Sequence, residues 1–342
     1  MTITQLIAAG RRAMIDLELR VVEPVLDQYG VAWRHIVARL DEVEGMIEAA
    51  IARGEVVDDA WLRQQRWWQT TLDSIEAEMS RFTVAMGEQV AAGQTTSLAV
   101  SRNVSMRVAD FIAQEAANRG IGVTPGIQGR INPIAFERWV IANQPGSPVR
   151  EAIDRYGTRV SESVRTRMTE GLAAGEHPRT ITRQIVADVG PEAVEGRIHT
   201  ITRTETLRAY RGSLRESIEG FGPDVVSGWR WIAALGRRTC AACLAMHNRV
   251  FPYDQYPDRF HVACRCSIAP VVHNAIVPQP PIGRSGDAWL RDQPLETQRA
   301  ILKSDARLAA FRNGEPLDTF VGVKSDPVWG ESIVVKPVRE AA

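Results

Sequence analysis

Between Pro24 and Pro125 the chain contains no proline. Proline lacks an amide hydrogen and clashes with the preceding helical turn, so such an interval permits very long helices. Within it, Val31, Ile36, Leu40, Val43, Ile47 and Ile51 recur at steps of three to five. Trp61, Leu62, Trp68, Leu72, Ile75 and Met79 form a second apolar series. This periodicity predicts amphipathic helices. Asp58 or Asp59 suits an N-cap, and Gly54, Gly87 and Gly93 are the expected breaks. The reading predicts three or four helices between residues 3 and 120, packed as hairpins or a bundle.

The texture then changes. "RGIGVTPGIQGRINPIAF" is rich in Gly and Pro and reads as a linker, with a short helix expected around "IAFERWVIAN". Helical pattern returns from Val149, with C-caps expected at Gly171 and Gly175. A short helix opens at Pro178, and a longer one closes at Gly220 and Gly222. "VSGWRWIAAL" alternates like a strand, with Trp229 and Trp231 on one side and Arg230 on the other. "CSIAPVV" reads as a short strand ended by Pro270. Beyond an extended Pro278–Pro281 linker come a helical tail ending at Gly314 and a partly strand-like close. The expected organisation is a helical region over 1–120, a linker over 121–148, a small domain over 149–273, and linker plus tail over 274–342. The fold class is mainly α with a small α+β C-terminal domain.

Of 342 residues, 44% are hydrophobic, enough for a substantial core, while 41 basic and 41 acidic side chains cancel. That balance argues against a free DNA-binding regulator, since no basic stripe exceeds the short "GRR" turn. No apolar run suits a membrane span, and the N-terminus lacks the apolar core of a secretory signal. A protein of a reducing compartment is expected.

All four cysteines fall between Cys240 and Cys266, in the pattern C-x2-C-x17-H-x2-C-x-C. Two thiols three residues apart reach one ion from a tight turn, and a second group about 20 residues on closes a tetrahedron. Were Cys264 and Cys266 on a strand, they would point to one side and Arg265 to the other. Five candidates, Cys240, Cys243, His261, Cys264 and Cys266, compete for four places, and His247 is a sixth, less favoured one. Four cysteines, or three cysteines and one histidine, both satisfy zinc. The competing reading is simple burial of free thiols; clustering in pairs beside histidine favours metal. A closed site of this kind is structural, not catalytic, and would order an intervening loop with little apolar periodicity.

At "RTETLRAYRGS", "WRWIAALGRRTCAACLAMHNRVF" and "FHVACRCSIAPVV" the chain resembles the phage Mu F-type minor head protein, or phage head morphogenesis, family. The matching elements are Arg203, Thr204 and Glu205; Trp229 or Trp231; Arg238, Thr239, Cys240 and Cys243; and His261, Cys264, Arg265 and Cys266. Gly236-Arg237 and His261-Val262 depart from the usual pattern without removing a candidate ligand. The tail from Asp287 also looks like the tail of many members. The resemblance spans about residues 150 to 320 and implies a minor capsid protein of the virion. Such a protein is made in the host cytoplasm, associates with the portal vertex and acts in procapsid assembly. It implies portal, major capsid or scaffold proteins as partners, with packaged DNA a further candidate, and no enzyme. Too few residues follow the tail for an appended domain to be expected.

The alternative is a zinc-containing nuclease or toxin-like enzyme, with Arg203, Glu205, His247 and His261 as its polar centre. Against it, residues two apart on a helix do not share a face, so Arg203 and Glu205 read better as a helix-surface pair or structural bridge. His247 and Asn248 read better as loop residues than as phosphate ligands, and His273 as surface. "RWW" at 66–68 could stack on nucleotides, but Trp61, Trp68 and Leu72 sit at core spacing. Trp67, off that face, is the candidate interface residue.

Overall fold

The computed structural model describes residues 2–122, 138–278 and 283–337. Three helices cover the proline-free interval: α1 (Ile3–Ala52), α2 (Asp59–Gln64) and α3 (Arg66–Asn118). They are followed by α4 (Pro148–Ala173), α5 (Pro178–Val189) and α6 (Pro191–Glu219). Next come β1 (Val226–Ile232), α7 (Ala241–Ala245), β2 (Val250–Pro252) and β3 (Ser267–Val272). The tail contains α8 (Gly286–Arg291), α9 (Leu295–Leu302), α10 (Asp305–Arg312), β4 (Val321–Asp326) and β5 (Gly330–Val335). The architecture is mainly α with small sheets in the C-terminal part. Of the short helix expected at 134–143, residues 134–137 lie outside the described residues, and 138–143 hold only a 3-10 turn at Arg138–Trp139 rather than an α-helix; most of the 121–148 linker and Pro280 and Pro281 also lie outside the described residues.

Two compact units divide the chain, and they interleave along it. The helical unit comprises 18–93 and 141–205; the sheet unit comprises 1–17, 94–140 and 206–342.

In the helical unit, Ile36, Leu40, Val43, Ile47 and Ala50 of α1 are fully buried at alternating steps of four and three. Trp68, Leu72, Ile75, Met79, Phe82 and Met86 do the same on α3. That is the seam spacing of packed long helices. Val31 and Ile51, read as part of the stripe, lie exposed. Tyr29, Phe82 and Tyr156 bring α1, α3 and α4 together, with Tyr29 edge-on to Phe82 at 5.1 Å. The Tyr29 hydroxyl donates to the Val189 carbonyl at the end of α5. Asp58 caps α2, accepting from the Trp61 amide at 2.7 Å. Trp67 lies half-buried with its ring edge-on to Trp61 at 6.1 Å.

Three glycine expectations need correction. Gly54 and Gly175, with φ of 80° and 72°, do end helices, but Gly87 and Gly93 lie inside α3 and Gly171 inside α4. A Cβ on Gly87 would stand 2.7 Å from Arg150, and one on Gly171 would stand 2.5 Å from Ile181. These glycines permit close helix approach rather than a break.

In the sheet unit, β1 is the central strand, antiparallel to β2 on one side and β3 on the other. Its register sets Trp229 against Pro270 and Trp231 against Ile268. Pro270 therefore does not end β3, which continues to Val272. Proline survives there because β3 is an edge strand. In the tail, Asp326 Oδ1 accepts the amides of Val328 and Trp329 and closes the β4–β5 hairpin.

Candidate metal centre and its arginine supports

Strand β1 ends at Ile232, and the chain turns sharply before the first cysteine. The Gly236 amide donates to Thr239 Oγ1 at 3.1 Å, and the Thr239 amide returns a bond to the Gly236 carbonyl at 2.8 Å. This closed turn delivers Cys240 as the N-cap of α7, its sulfur accepting the Cys243 amide at 3.4 Å. One helical turn places Cys243 beside it. The other arm arrives through Ala263, held at φ 58°, and sets Cys264 and Cys266 just before β3. The two thiols thus converge from an irregular segment rather than from a strand.

All four cysteines are free thiols. His261 Nε2 stands 3.2 Å from Cys240 Sγ and 3.1 Å from Cys243 Sγ. Cys243 Sγ is 3.5 Å from Cys264 Sγ. The donors form two triads, Cys240–Cys243–His261 and Cys243–Cys264–Cys266, each within 4.8 Å and sharing Cys243. Tetrahedral zinc separates two sulfurs by about 3.8 Å and sulfur from nitrogen by about 3.6 Å. A soft, borderline metal therefore fits these donors with small outward shifts, and the cluster is one that could hold a metal ion.

The electrostatics of the cluster are divided. Hydrogen bonding to Cys243, helped by His261, draws the Cys240 thiol down to about 5. Burial opposes a charged His261, but the Cys264 thiolate and the hydrogen bond with Cys240 override it and push the imidazole up to about 11. Hydrogen bonds with Cys240, Cys264 and Cys266 push Cys243 upward. Without a metal the cluster thus sheds protons from Cys240 and Cys264 but keeps them on Cys243, Cys266 and His261, and a metal ion ligated by any of those three would displace a proton from it.

Arg211, on α6 within the "AYRGS" of the sequence motif, supports the second arm. It is buried. Its Nε donates to the Cys266 carbonyl at 2.9 Å and its Nη2 to the Cys264 carbonyl. The Phe260 ring covers the guanidinium at 4.0 Å. A single planar fork thus fixes both residues flanking Arg265. Nothing in the local pattern marks Arg211 as different from the other arginines of α6; the signal is its pairing with carbonyls more than 50 residues away. Arg11, from the first turns of α1, donates to the Ala233 carbonyl at 3.0 Å and interacts electrostatically with Cys266.

The loop between the arms is better packed than its sequence indicates. Trp229 donates from Nε1 to the Tyr253 carbonyl and packs against the rings of Tyr253 and Tyr256. Trp231 stacks on Phe260 at 4.6 Å, and the five residues of α7 are all buried. Aromatic side chains spaced irregularly along the loop give no helical or strand period, yet all reach the one face of β1.

The remaining candidates have separate settings. His247, in the sheet unit, accepts the Ala233 amide at Nδ1, and burial with Arg11 nearby lowers its pKa to about 4. Arg203, in the helical unit, pairs with buried Glu18, its Nε 2.6 Å from Oε2. Glu205 lies buried in that same unit. His273 rests on the surface, bonded to the Pro223 carbonyl.

No described helix is long and apolar enough to cross a membrane. No curated protein and no solved structure matches the chain. A family model does: residues 162–269, which carry α6, β1, β2, the start of β3 and the whole thiol cluster, match the one described as "Phage Mu protein F like protein". The motifs around Arg203, Cys240 and Cys266 thus lie within the stretch that is similar to that family.

Proposed function

We propose that the protein is a minor component of a phage head, carried in the virion at the capsid interior or portal vertex after assembly in the host cytoplasm. The supporting observation is the family match, which brackets the converged thiols and the arginine beneath them. Four of Cys240, Cys243, His261, Cys264 and Cys266 hold one structural Zn2+. Bound there, the ion supplies a cross-link between the α7 turn and the Cys264–Cys266 turn. With four protein ligands no position remains for a reacting water, so the role is assembly rather than turnover. The long amphipathic helices form the surface offered to portal, major capsid or scaffold protein.

Two measurements on the full chain test this. Metal analysis is expected to give about one zinc per chain, and its absence would overturn the clip. Affinity capture from infected cells is expected to recover portal, capsid or scaffold protein. Recovery of none, with zinc present, would leave the clip standing and refute the head assignment.

A further inference from the structure

Above the thiol cluster the surface opens into a cleft of about 220 Å3. Arg237, Arg238 and Arg265 line it beside Thr239, Cys240 and His261, and no carboxylate lies among its described lining residues. We propose that this cleft binds a phosphate group, with Arg237 and Arg238 as the principal contacts.

Four features carry the proposal. The first is charge: three guanidiniums border one small cavity in a chain whose total charge is zero. Guanidinium forks match the oxygen geometry of phosphate. The second is placement. The counter-charge that a thiolate-rich centre needs is supplied from beneath, where Arg211 holds the Cys264 and Cys266 carbonyls and Arg11 interacts with Cys266. The arginines at the mouth are additional to these. Arg237 and Arg238 are exposed, and the Arg237–Glu296 pair is 62% and 78% exposed on its two sides. Such a pair holds its cation weakly and yields readily to a better anion.

The third is rigidity. The paired bonds between Gly236 and Thr239 fix the two arginines at the tip of a closed turn. Leu235 and Ala263, which flank the cleft, are both held at positive φ, 48° and 58°, a conformation costly for residues with a Cβ. Both lips are therefore set in one shape before any ligand arrives, which lowers the ordering cost of binding. The fourth is size. Sites for drug-sized molecules start at about 300 Å3. A cleft below that limit suits one small anionic group, free or projecting from a larger chain.

The source of the phosphate is either an inorganic ion or the backbone of a nucleic acid, and the test separates them. The inference rests on the preceding reading only in that a bound metal keeps both turns in place, so zinc content is measured on every sample. Full-length protein is titrated with inorganic phosphate by calorimetry, and with a fluorescently labelled 20-base-pair DNA duplex by anisotropy at several salt concentrations. The variants are Arg238→Ala, Arg237→Ala/Arg238→Ala and Arg238→Lys; all alter exposed side chains and are expected to fold and retain zinc.

Affinity for at least one probe is expected to fall about tenfold in the double variant. Arg238→Lys should lose part of that, because lysine keeps the charge and not the fork. If the duplex is bound, its salt slope should drop by about one per contact removed. Duplex binding lost in the double variant assigns the site to a nucleic-acid backbone; phosphate binding lost without duplex binding assigns it to the free ion. The proposal is overturned if neither probe binds at low salt, or if the double variant binds both as the native protein does. It is equally overturned if that variant loses zinc while keeping its phosphate affinity, because the arginines would then serve the thiolates alone.

Discussion

The helical unit buries Ile36, Leu40, Val43 and Ile47 of α1 and Leu72, Ile75 and Met79 of α3, one residue type after another at seam spacing. The sheet unit buries Arg211, Arg230, Thr239 and Ser267 alongside its tryptophans. The seams of the first are held by many interchangeable apolar contacts, beside the Arg203–Glu18 pair; the thiol-bearing part of the second depends on a few specific ones. Loss of one leucine from a seam costs a share of the total, whereas loss of one shared donor removes the partner of several groups at once. The two units should therefore fail in different ways.

The largest contrast is expected from Cys243→Ser. Cys243 belongs to both donor triads, so no set of the other donors restores two thiols from the first arm. The four donors that remain, Cys240, His261, Cys264 and Cys266, should hold zinc more weakly, and limited proteolysis should cut within residues 229–270 while 18–93 and 141–205 stay protected. Mass spectrometry of the fragments reads this directly. Unchanged protection of 229–270 would mean that the aromatic contacts of Trp229 and Trp231 suffice, and the contrast would be broken. Ile36→Ala probes the other side. Its side chain is fully buried, and truncation should cost about 2–5 kcal/mol in denaturant unfolding. Zinc content should not change.

The same contrast governs what could be read from the sequence. Seam residues betray themselves because their partners follow the same short period, so the helical stretches at 31–51 and 61–79 were predictable from spacing, whereas the unbroken run of α3 through Gly87 and Gly93 was not. The thiols were legible for a different reason: chemistry limits what four cysteines and a histidine can do at that separation. Arg211 was not legible, because the carbonyls it holds belong to Cys264 and Cys266, and backbone acceptors leave no mark on a sequence. Tyr253, Tyr256 and Phe260 looked like loop residues for a similar reason. Their order comes from Trp229 and Trp231, which lie more than 20 residues away. Gly87 and Gly171 misled because glycine signals either a break or a close approach, and only the neighbouring helix decides between them.

Arg211→Met tests whether a buried polar support acts on the site or merely on the fold. It removes both bonds to the ligand-bearing carbonyls while keeping much of the apolar stem. Supports of this kind typically alter metal affinity by about 10–100-fold. Chelator competition should show a loss in that range, with Arg211→Lys partly restoring it. Equal affinity in native and variant protein, with only a lower unfolding midpoint, would assign Arg211 to general packing.

The smallest effects come from two glycines of the helical unit, and their signs should be opposite. Gly45 lies exposed in α1, and a Cβ there would meet nothing within 4 Å. Gly45→Ala therefore gains only the backbone benefit of leaving glycine in a helix, about 0.5–1 kcal/mol of added stability. Gly171→Ala has the same benefit available but would set its Cβ 2.5 Å from Ile181 Cγ1 and 2.6 Å from Cδ1. Ile181 is fully buried and β-branched, so it has little freedom to turn aside. Overpacking of this kind costs about 1–3 kcal/mol, which outweighs the propensity gain. Thermal unfolding should thus rise for Gly45→Ala and fall for Gly171→Ala. A rise for both would mean that α4 and α5 can separate at little cost. The helical unit would then be looser than its buried seams imply, and the difference in character between the two units would narrow.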